Sequence, residues 1–397
     1  MLNHLSIFFK DPVAKAIGGV FAVAGILFGT WAALIPFVKN KFELDEAQLG
    51  ILLLMLPLGV GLMNPVCVPM IRKLGPVKAT LTSLIYLAIF LVIPINMPTI
   101  WLLGSMLFLY GMGYAAINIT MNTCAAQLEQ ISNKSIMATC HGLWSGGAMI
   151  GSAAVGVAMS NGARPQLYVI GVGAFAIFMV WAVKKPLSLL PEIPVSSEPQ
   201  TKASKAFIRP NRALWSLIII GLCVNLGEGT MADWATVYVG EVMDTTISVA
   251  SWGFATYAFF MMTGRLLGDG LINNFGSNVM LRSCGILLTT GYLIAVFAPN
   301  VAILFFGLAL IGLGVSLGSP ILYAASAKVP GLPQGVGLAI FNTYAVIAFL
   351  GGPVFIGFLA KVFSLPTAFL VVASFGFVWV IQAHLLAQGW RLNKTNK

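Results

Sequence analysis

Long apolar segments separated by short polar ones make up most of this chain. Bounded by charged residues, Pro or Asn, they cover 13–38, 47–70, 79–97, 100–127, 136–160, 166–183, 213–239, 248–272, 279–298, 300–327, 334–360 and 366–388. A helix needs about 20 apolar residues, rising 1.5 Å each, to cross a bilayer. The pattern therefore predicts an all-α integral membrane protein with twelve transmembrane helices. It excludes a β-barrel, whose strands alternate over about ten residues.

Composition supports a membrane location. Of the 397 residues, 58% are hydrophobic and 9% charged, whereas soluble domains are about 25% charged. The net charge is +10, but the basic residues lie in short segments between apolar runs. They form neither a basic face nor an aromatic RNA-binding motif. We therefore expect the lipid bilayer, and no nucleic acid, as a partner.

One long polar stretch interrupts the apolar pattern. It runs from Lys184 to Arg212, and its prolines, serines and eight charges are typical of a flexible linker. The predicted domains are thus a six-helix bundle at 1–183, a cytoplasmic linker at 184–212 and a second six-helix bundle at 213–397.

The two halves resemble each other in sequence. A shift of 203 positions places Trp31 over Trp234 and Gly50 over Gly253. Parallel repeats of this kind build transporters whose binding site lies between the two halves. The repeat predicts two pseudo-symmetric bundles with a site at their interface.

The distribution of Lys and Arg predicts the orientation. If the N-terminus is cytoplasmic, eighteen Lys and Arg residues lie on that side and four on the other. Cytoplasmic loops carry the excess of positive charge. Both termini should therefore be cytoplasmic. The first apolar run is too long for a signal peptide and predicts a retained helix.

Two carboxylates lie inside the seventh apolar segment. An acidic residue at a helix centre costs about 2.5–3.5 kcal/mol on insertion scales, so its default interpretation is functional. We predict that Glu228 carries a proton, assisted by Asp233 or His141; the alternative is a carboxyl group that only ties helices together. Five residues turn a helix by about 140°, so Glu228 and Asp233 would not share one face unless Gly227 and Gly229 loosen the backbone.

Amides and tryptophans are the candidates for lining a solute cavity. Amides both donate and accept hydrogen bonds, and aromatic faces stack on sugars or cations. The alternatives are helix–helix hydrogen bonds for the amides and interface anchoring for the tryptophans. The candidates are Trp31, Asn118, Asn122, Trp144, Asn225 and Trp234.

Several absences in the sequence narrow the chemistry. No Lys or Arg is expected at the middle of a helix, which favours a neutral or cationic solute. The five cysteines form no Cys-x-x-Cys pair, and neither a metal site, a cofactor motif nor an enzyme motif is present. Small residues at Gly147, Gly151 and Ser152 predict close helix packing instead.

Several short motifs occur along the chain: Gly29-Thr30-Trp31-Ala32, Asn122 with Glu129, His141-Gly142-Leu143-Trp144-Ser145, Glu228-Gly229, Asp233-Trp234, Gly264-Arg265 with Gly268-Asp269, and Gly351-Gly352-Pro353. In these motifs the chain resembles the major facilitator superfamily, and within it the YbjJ-type group of bacterial inner-membrane proteins related to fucose permeases. The resemblance implies a twelve-helix rocker-switch transporter in the bacterial inner membrane. It departs at Leu34 and Asn118, where relatives tend to carry an Arg and an acid.

The resemblance also bears on the eighth segment. The superfamily's charged motif between helices 2 and 3 has lost its acidic residue here, and its equivalent is better kept at Arg265 and Asp269. These two residues are i, i+4 neighbours placed at the cytoplasmic end of the helix. We interpret them as a conformational latch and not as part of the solute site.

Together the patterns predict a secondary active transporter and not an enzyme. It would work by alternating access as a monomer, with protons as the coupling ion, and move a small neutral or cationic polar solute such as a sugar. One alternative is a proton-driven exporter of amphipathic or cationic compounds. Another class is a non-transporting membrane receptor, which the lack of a folded output domain in the linker disfavours.

Overall fold

The computed structural model describes residues 8–132, 135–191, 210–332 and 336–395, and its regular elements there are helices. Twelve helices follow one another in the order α1 Pro12–Lys41, α2 Glu46–Leu74, α3 Pro76–Asn96, α4 Ile100–Ser132, α5 Met137–Ser160, α6 Pro165–Leu187, α7 Arg212–Val242, α8 Ile247–Phe275, α9 Ser277–Val296, α10 Val301–Ser326, α11 Val336–Val362 and α12 Leu365–Thr395. Two of them are interrupted, α2 at Leu54 and α10 at Leu317. The predicted twelve-helix architecture is confirmed.

Eleven of the described helices are long and apolar enough to cross a membrane. The exception is α8, which has 29 residues but is more polar than the others. Its composition reflects its surroundings, since one side of α8 faces α5 of the other half and carries Arg265.

Side chains at the helix starts explain several boundaries. The Asp11 carboxylate accepts hydrogen bonds from the backbone N–H groups of Val13 and Ala14, 2.8 and 3.2 Å away, and Pro12 occupies the first turn. At the start of α2, Asp45 and Gln48 form a reciprocal capping box. Such caps satisfy N–H groups that have no partner within the helix.

The repeat is visible in the turns. Glu43 and Asp244 have positive φ angles of 51° and 47°, and Gly75 and Gly276 have φ angles of 76° and 82°. Both pairs are separated by 201 positions, so the structural register of the turns differs by two residues from the shift of 203 that aligns the tryptophans. Under the shift of 203 the corresponding turns therefore fall close to one another but not on the same position.

The first half comprises α1–α6 and the second α7–α12. Within the first half, α1 and α5 touch backbone to backbone. A Cβ at Gly147 would lie 2.0 Å from the Ala22 carbonyl oxygen, and one at Gly29 would lie 2.0 Å from that of Ala148. The predicted small-residue packing, which includes Gly151, is confirmed.

The halves meet through α5–α8, α2–α11, α1–α8 and α1–α7. Buried hydroxyls also donate hydrogen bonds across the two halves. Ser152 Oγ donates to the Ser251 carbonyl oxygen at 2.7 Å, and Thr236 Oγ1 donates to the Ala32 carbonyl oxygen at 2.8 Å. Ser152 therefore contacts the other half.

The predicted linker lies mostly outside the described residues, since 192–209 are not among them. Its two ends are helical, because α6 continues to Leu187 and α7 begins at Arg212.

Candidate solute cavity

A cavity of about 350 Å³ lies between the two halves. Helices α1, α2, α4 and α5 line it from the first half, and α7, α8, α10 and α11 from the second. Its position agrees with the expected site at the interface of the repeats.

One stripe of α7 faces the cavity. It contains Asn225, Glu228, Gly229, Ala232 and Asp233. These residues are spaced i, i+3, i+4, i+7 and i+8, the spacing of a broad face of an α-helix. Glu228 and Asp233 lie at the two edges of that face. A stripe about 140° wide contains both, so the two acids reach the same cavity from a continuous helix. The expectation that this would need a loosened backbone at Gly227 and Gly229 is wrong.

Arg265 projects into the same cavity from α8. Its Nη2 donates to Glu228 Oε1 at 3.2 Å and its Nη1 donates to Ser145 Oγ at 2.8 Å. The guanidinium carbon also lies 5.9 Å from the centre of the Trp144 ring, within reach of a cation–π interaction. Arg265 thus connects α7 and α8 of the second half with α5 of the first.

This placement overturns two predictions. Arg265 lies ten residues before the end of α8 at Phe275, about 15 Å of helix, so a cation is present at mid-helix depth. Asp269 is exposed and, within the described part of the chain, makes no ion pair with Arg265. The prediction that Arg265 and Asp269 form a latch is wrong, because the Arg265 guanidinium points toward Glu228 and Ser145.

Asp233 has different surroundings from Glu228. Its half-buried side chain lines the cavity, and among the described residues it makes neither a hydrogen bond nor an ion pair. Arg265 already balances the charge of Glu228. Asp233 is therefore the uncompensated acidic group of the cavity wall as far as the structure describes it.

Aromatic side chains form the wall contributed by the first half. The Phe28 ring lies 5.5 Å from Tyr114 and 5.3 Å from Trp144, centre to centre. His141 also lines the cavity and makes an edge-to-face contact with Phe21 at 5.4 Å. Trp144 and His141 therefore occupy the region predicted for them.

The two amides of α4 have unequal positions. Asn118 lines the cavity, whereas Asn122 is not among the lining residues. Asn122 Nδ2 donates to the backbone oxygen and to Oδ1 of Asn118, at 2.8 and 3.0 Å. Asn122 thus orients Asn118, and its predicted place in the cavity lining is wrong.

The two repeat-related tryptophans are also outside the cavity. Trp31 is 2% exposed and packs beside Tyr110, and Trp234 is fully buried against α11 near Gly357. Both were predicted to line the cavity. They do not, because each belongs to a helix that is enclosed on several sides, and the ring points into a packed seam.

Other lining residues were missed by the sequence reasoning. Tyr114, Tyr257 and Tyr323 contribute to the wall. The i, i+4 spacing of Tyr114 and Asn118 was a usable signal for Tyr114; nothing in the local sequence distinguished the other two. Within the described residues, no group of three or more His, Cys, Asp or Glu residues is placed to hold a metal ion.

The end of the molecule that carries the turns 42–45, 243–246 and 363–364, here named the distal end, is held shut by charges. Lys39 Nζ donates to Glu46 Oε1 at 2.9 Å and to Glu241 of the other half. Lys361 Nζ donates to Asp45 Oδ2 at 2.8 Å. The Lys361 ammonium holds the pKa of the Asp45 carboxyl below its usual range.

A backbone contact closes the same end beside those charges. A Cβ at Gly50 of α2 would lie 2.7 Å from the Pro353 carbonyl oxygen of α11, and one at Gly357 would lie 2.5 Å from the Glu46 carbonyl oxygen. No side chain fits between the two helices there. The cavity is thus sealed from the distal end by α2 and α11.

Comparison with known proteins agrees with this architecture. The profile of the Major Facilitator Superfamily matches residues 16–330. The uncharacterized transporter y4wD of Sinorhizobium fredii is 30% identical over 379 residues, which cover 94% of this chain and 98% of that protein. The membrane protein MosC of Rhizobium meliloti is 27% identical over 369 residues, 93% of this chain and 89% of the relative.

Solved structures show the same fold at low sequence identity. A mutant of the nucleoside transporter NupG superposes with a TM-score of 0.73 at 12% identity, covering 94% of this chain and 99% of that one. A bacterial homolog of the human lysosomal transporter Spinster, inward-facing and occupied, gives a TM-score of 0.72 at 15% identity, with coverages of 94% and 96%.

Proposed function

Because this chain belongs to the major facilitator superfamily, we propose that it couples protons to the movement of a small polar solute by alternating access. That it is a multi-pass membrane transporter follows from the family and its relatives. The coupling ion, the solute class and the residues that bind them are the proposal. We place both termini in the cytoplasm on the distribution of Lys and Arg, and we propose a monomer in the bacterial inner membrane, as the resemblance to inner-membrane relatives implies.

The observation that carries the proposal is the uncompensated carboxyl of Asp233 in the cavity wall. A carboxylate away from water and from cations favours its protonated form. When the cavity faces water on one side, the group can exchange its proton with that side. Asp233 is therefore the proton site we favour, with Glu228 held by Arg265 as its neighbour. The sequence alone favoured Glu228 as the proton carrier, and transport by variants of Asp233 and Glu228 distinguishes the two residues.

The charges of the cavity also bear on the solute. Arg265 is the cation of the lining among the described residues, and Glu228 already pairs with it. A neutral or cationic solute therefore remains favoured, now because the cation is compensated and no longer because it is absent. Amides at Asn118 and Asn225 and the Phe28–Tyr114–Trp144 wall suit a hydroxylated ring that both hydrogen-bonds and stacks.

The test is solute uptake into proteoliposomes with and without a pH gradient, after a ligand screen by thermal shift has identified a solute. We expect Asp233→Asn to abolish stimulation by the gradient while solute exchange at equal pH continues. Glu228→Gln, the matched control, should keep the stimulation. Loss of coupling in Glu228→Gln alone would return the proton site to Glu228. Absence of gradient-driven flux for any solute in the wild type would remove the proton claim.

A second candidate is a proton-driven exporter of cationic or amphipathic compounds. The specific observation in its favour is that the unpaired Asp233 shares a cavity with several aromatic side chains, which is suitable for a cation. The direction in which the solute is transported decides between the two candidate functions. Outward movement of a cation that competes with the proton at Asp233 would support the exporter.

A further inference from the structure

At the distal end, one lysine forms ion pairs with two glutamates that belong to different halves of the molecule. Lys39 lies at the end of α1, and its side chain is only 9% exposed. One of its partners, Glu46, begins α2 in the same half, whereas the other, Glu241, belongs to α7 of the opposite half. One ammonium group therefore serves both a contact within a half and a contact between halves.

We propose that Lys39 is a transfer latch: it leaves Glu241 when the distal end opens and stays on Glu46. The inference rests on the proposed alternating access. Removing both partners from a nearly buried ammonium would leave an uncompensated charge, which is strongly unfavourable. Because Glu46 moves with Lys39, opening costs one ion pair and never isolates the charge.

The surroundings of Lys39 support this role. The close contact between Gly50 of α2 and Pro353 of α11 involves no charged group. It would separate when the two halves rotate apart. The second pair between the halves, Asp45 with Lys361, is more exposed, at 35% and 51%, and exposed ion pairs contribute little. Lys39 is thus the main charged connection at the barrier among the described residues.

If Lys39 acts in this way, two similar glutamate substitutions should change the distal-open population in opposite directions. Glu241→Gln weakens the closed state only, so the distal-open population should rise by roughly two- to fivefold. Glu46→Gln weakens the partner that remains after opening, so the distal-open population should fall by a similar factor. A simple set of closing ion pairs would move both variants in the same direction.

The measurement is a spin-label distance between cysteines placed at Trp101 and Phe297. Both residues are exposed, 84% and 72%, and they lie at the distal ends of opposite halves. The native cysteines are buried, and protein without the two added cysteines gives the labelling background. The full-length protein is measured in lipid nanodiscs, so the readout does not require a known solute.

Opposite shifts in the two glutamate variants would support the latch. Shifts in one direction, or no shift in either variant, would overturn it. Asp45→Asn is the matched control, since asparagine still caps α2 and only the exposed pair is lost; its effect should be the smallest. If Glu46→Gln fails to fold, Glu46→Asp shortens the same contact and is read with the same sign. A single distance population in the wild type and in every variant would contradict alternating access itself, whereas two populations whose ratio no variant changes would overturn the latch alone.

Discussion

The two halves of the molecule share a fold but contribute different chemistry to the cavity. Glu228 and Asp233 on α7 and Arg265 on α8 belong to the second half, which supplies the cavity's Asp, Glu and Arg side chains. The first half supplies aromatic rings, an amide, an imidazole and a hydroxyl. The Asp, Glu and Arg side chains of the cavity thus lie in one half of a duplicated scaffold, although that half also contributes Asn225, Tyr257 and Tyr323 to the wall. Arg265 links these charged groups to the first half through Ser145.

The largest expected effect comes from breaking that link. Arg265→Gln leaves Glu228 without its cation and Ser145 without its donor, so we expect a loss of about 1–3 kcal/mol in stability and uptake reduced at least about tenfold. Thermal unfolding and proteoliposome uptake measure the two effects. Arg282→Gln, the same substitution at an exposed residue of α9, is the control and should change neither. Normal uptake by Arg265→Gln would show that the halves do not depend on this contact.

A smaller effect is expected from the wall of the first half. Trp144→Ala removes an aromatic face that contacts both Phe28 and Arg265, and stacking of this kind contributes about 0.5–1.5 kcal/mol. Solute affinity should fall roughly three- to tenfold in binding titrations, whereas the dependence of uptake on the pH gradient stays unchanged. Trp144→Phe should retain most of the affinity. An altered proton dependence would contradict the division of roles between the halves.

The smallest effect concerns the exposed pair that joins the halves at the distal end. The pKa of Asp45 is lowered by Lys361, so its stabilising contribution to the closed end is complete above the usual aspartate pKa, about 3.9. The contribution is lost as the pH falls through the lowered value. Acidification below pH about 4 should slightly increase the distal-open population measured by the spin-label distance. Asp45→Asn should make that increase slightly smaller, and an increase of unchanged size would assign it to other groups.

The fold followed from the sequence because a bilayer imposes a simple rule. Apolar length predicts each span, and the turn glycines Gly75 and Gly276 end α2 and α8. The site was predicted less well. Glu228, Asp233, Asn118, His141 and Trp144 reach the cavity, but the direction in which a side chain points depends on which neighbouring helices surround it.

The failures have that physical origin. Helix α1 is the most enclosed span of the bundle, so no polar face in its sequence marks the side on which Trp31 lies. Helix α7 does have a polar stripe, and Trp234 lies on the side opposite to it, so the alignment with Trp31 was followed where the helical periodicity pointed away from the cavity. Arg265 was placed at a helix end beside Asp269 because the two are i, i+4 neighbours. A long side chain can instead reach another helix, and the contact with Ser145 in α5 is not encoded locally.

The backbone contact between α1 and α5 has a consequence for how this chain can vary. Gly25, Gly29, Gly147 and Gly151 each lie so near a carbonyl oxygen of the facing helix that an added methyl group would meet it at 2.0 to 2.3 Å. Helix α5 also carries His141 and Trp144, so a larger residue at any of the four positions would shift the cavity wall. New solute preferences should therefore arise through exchanges of side chains around a fixed pair of helices, and natural variants at these glycines should be rare.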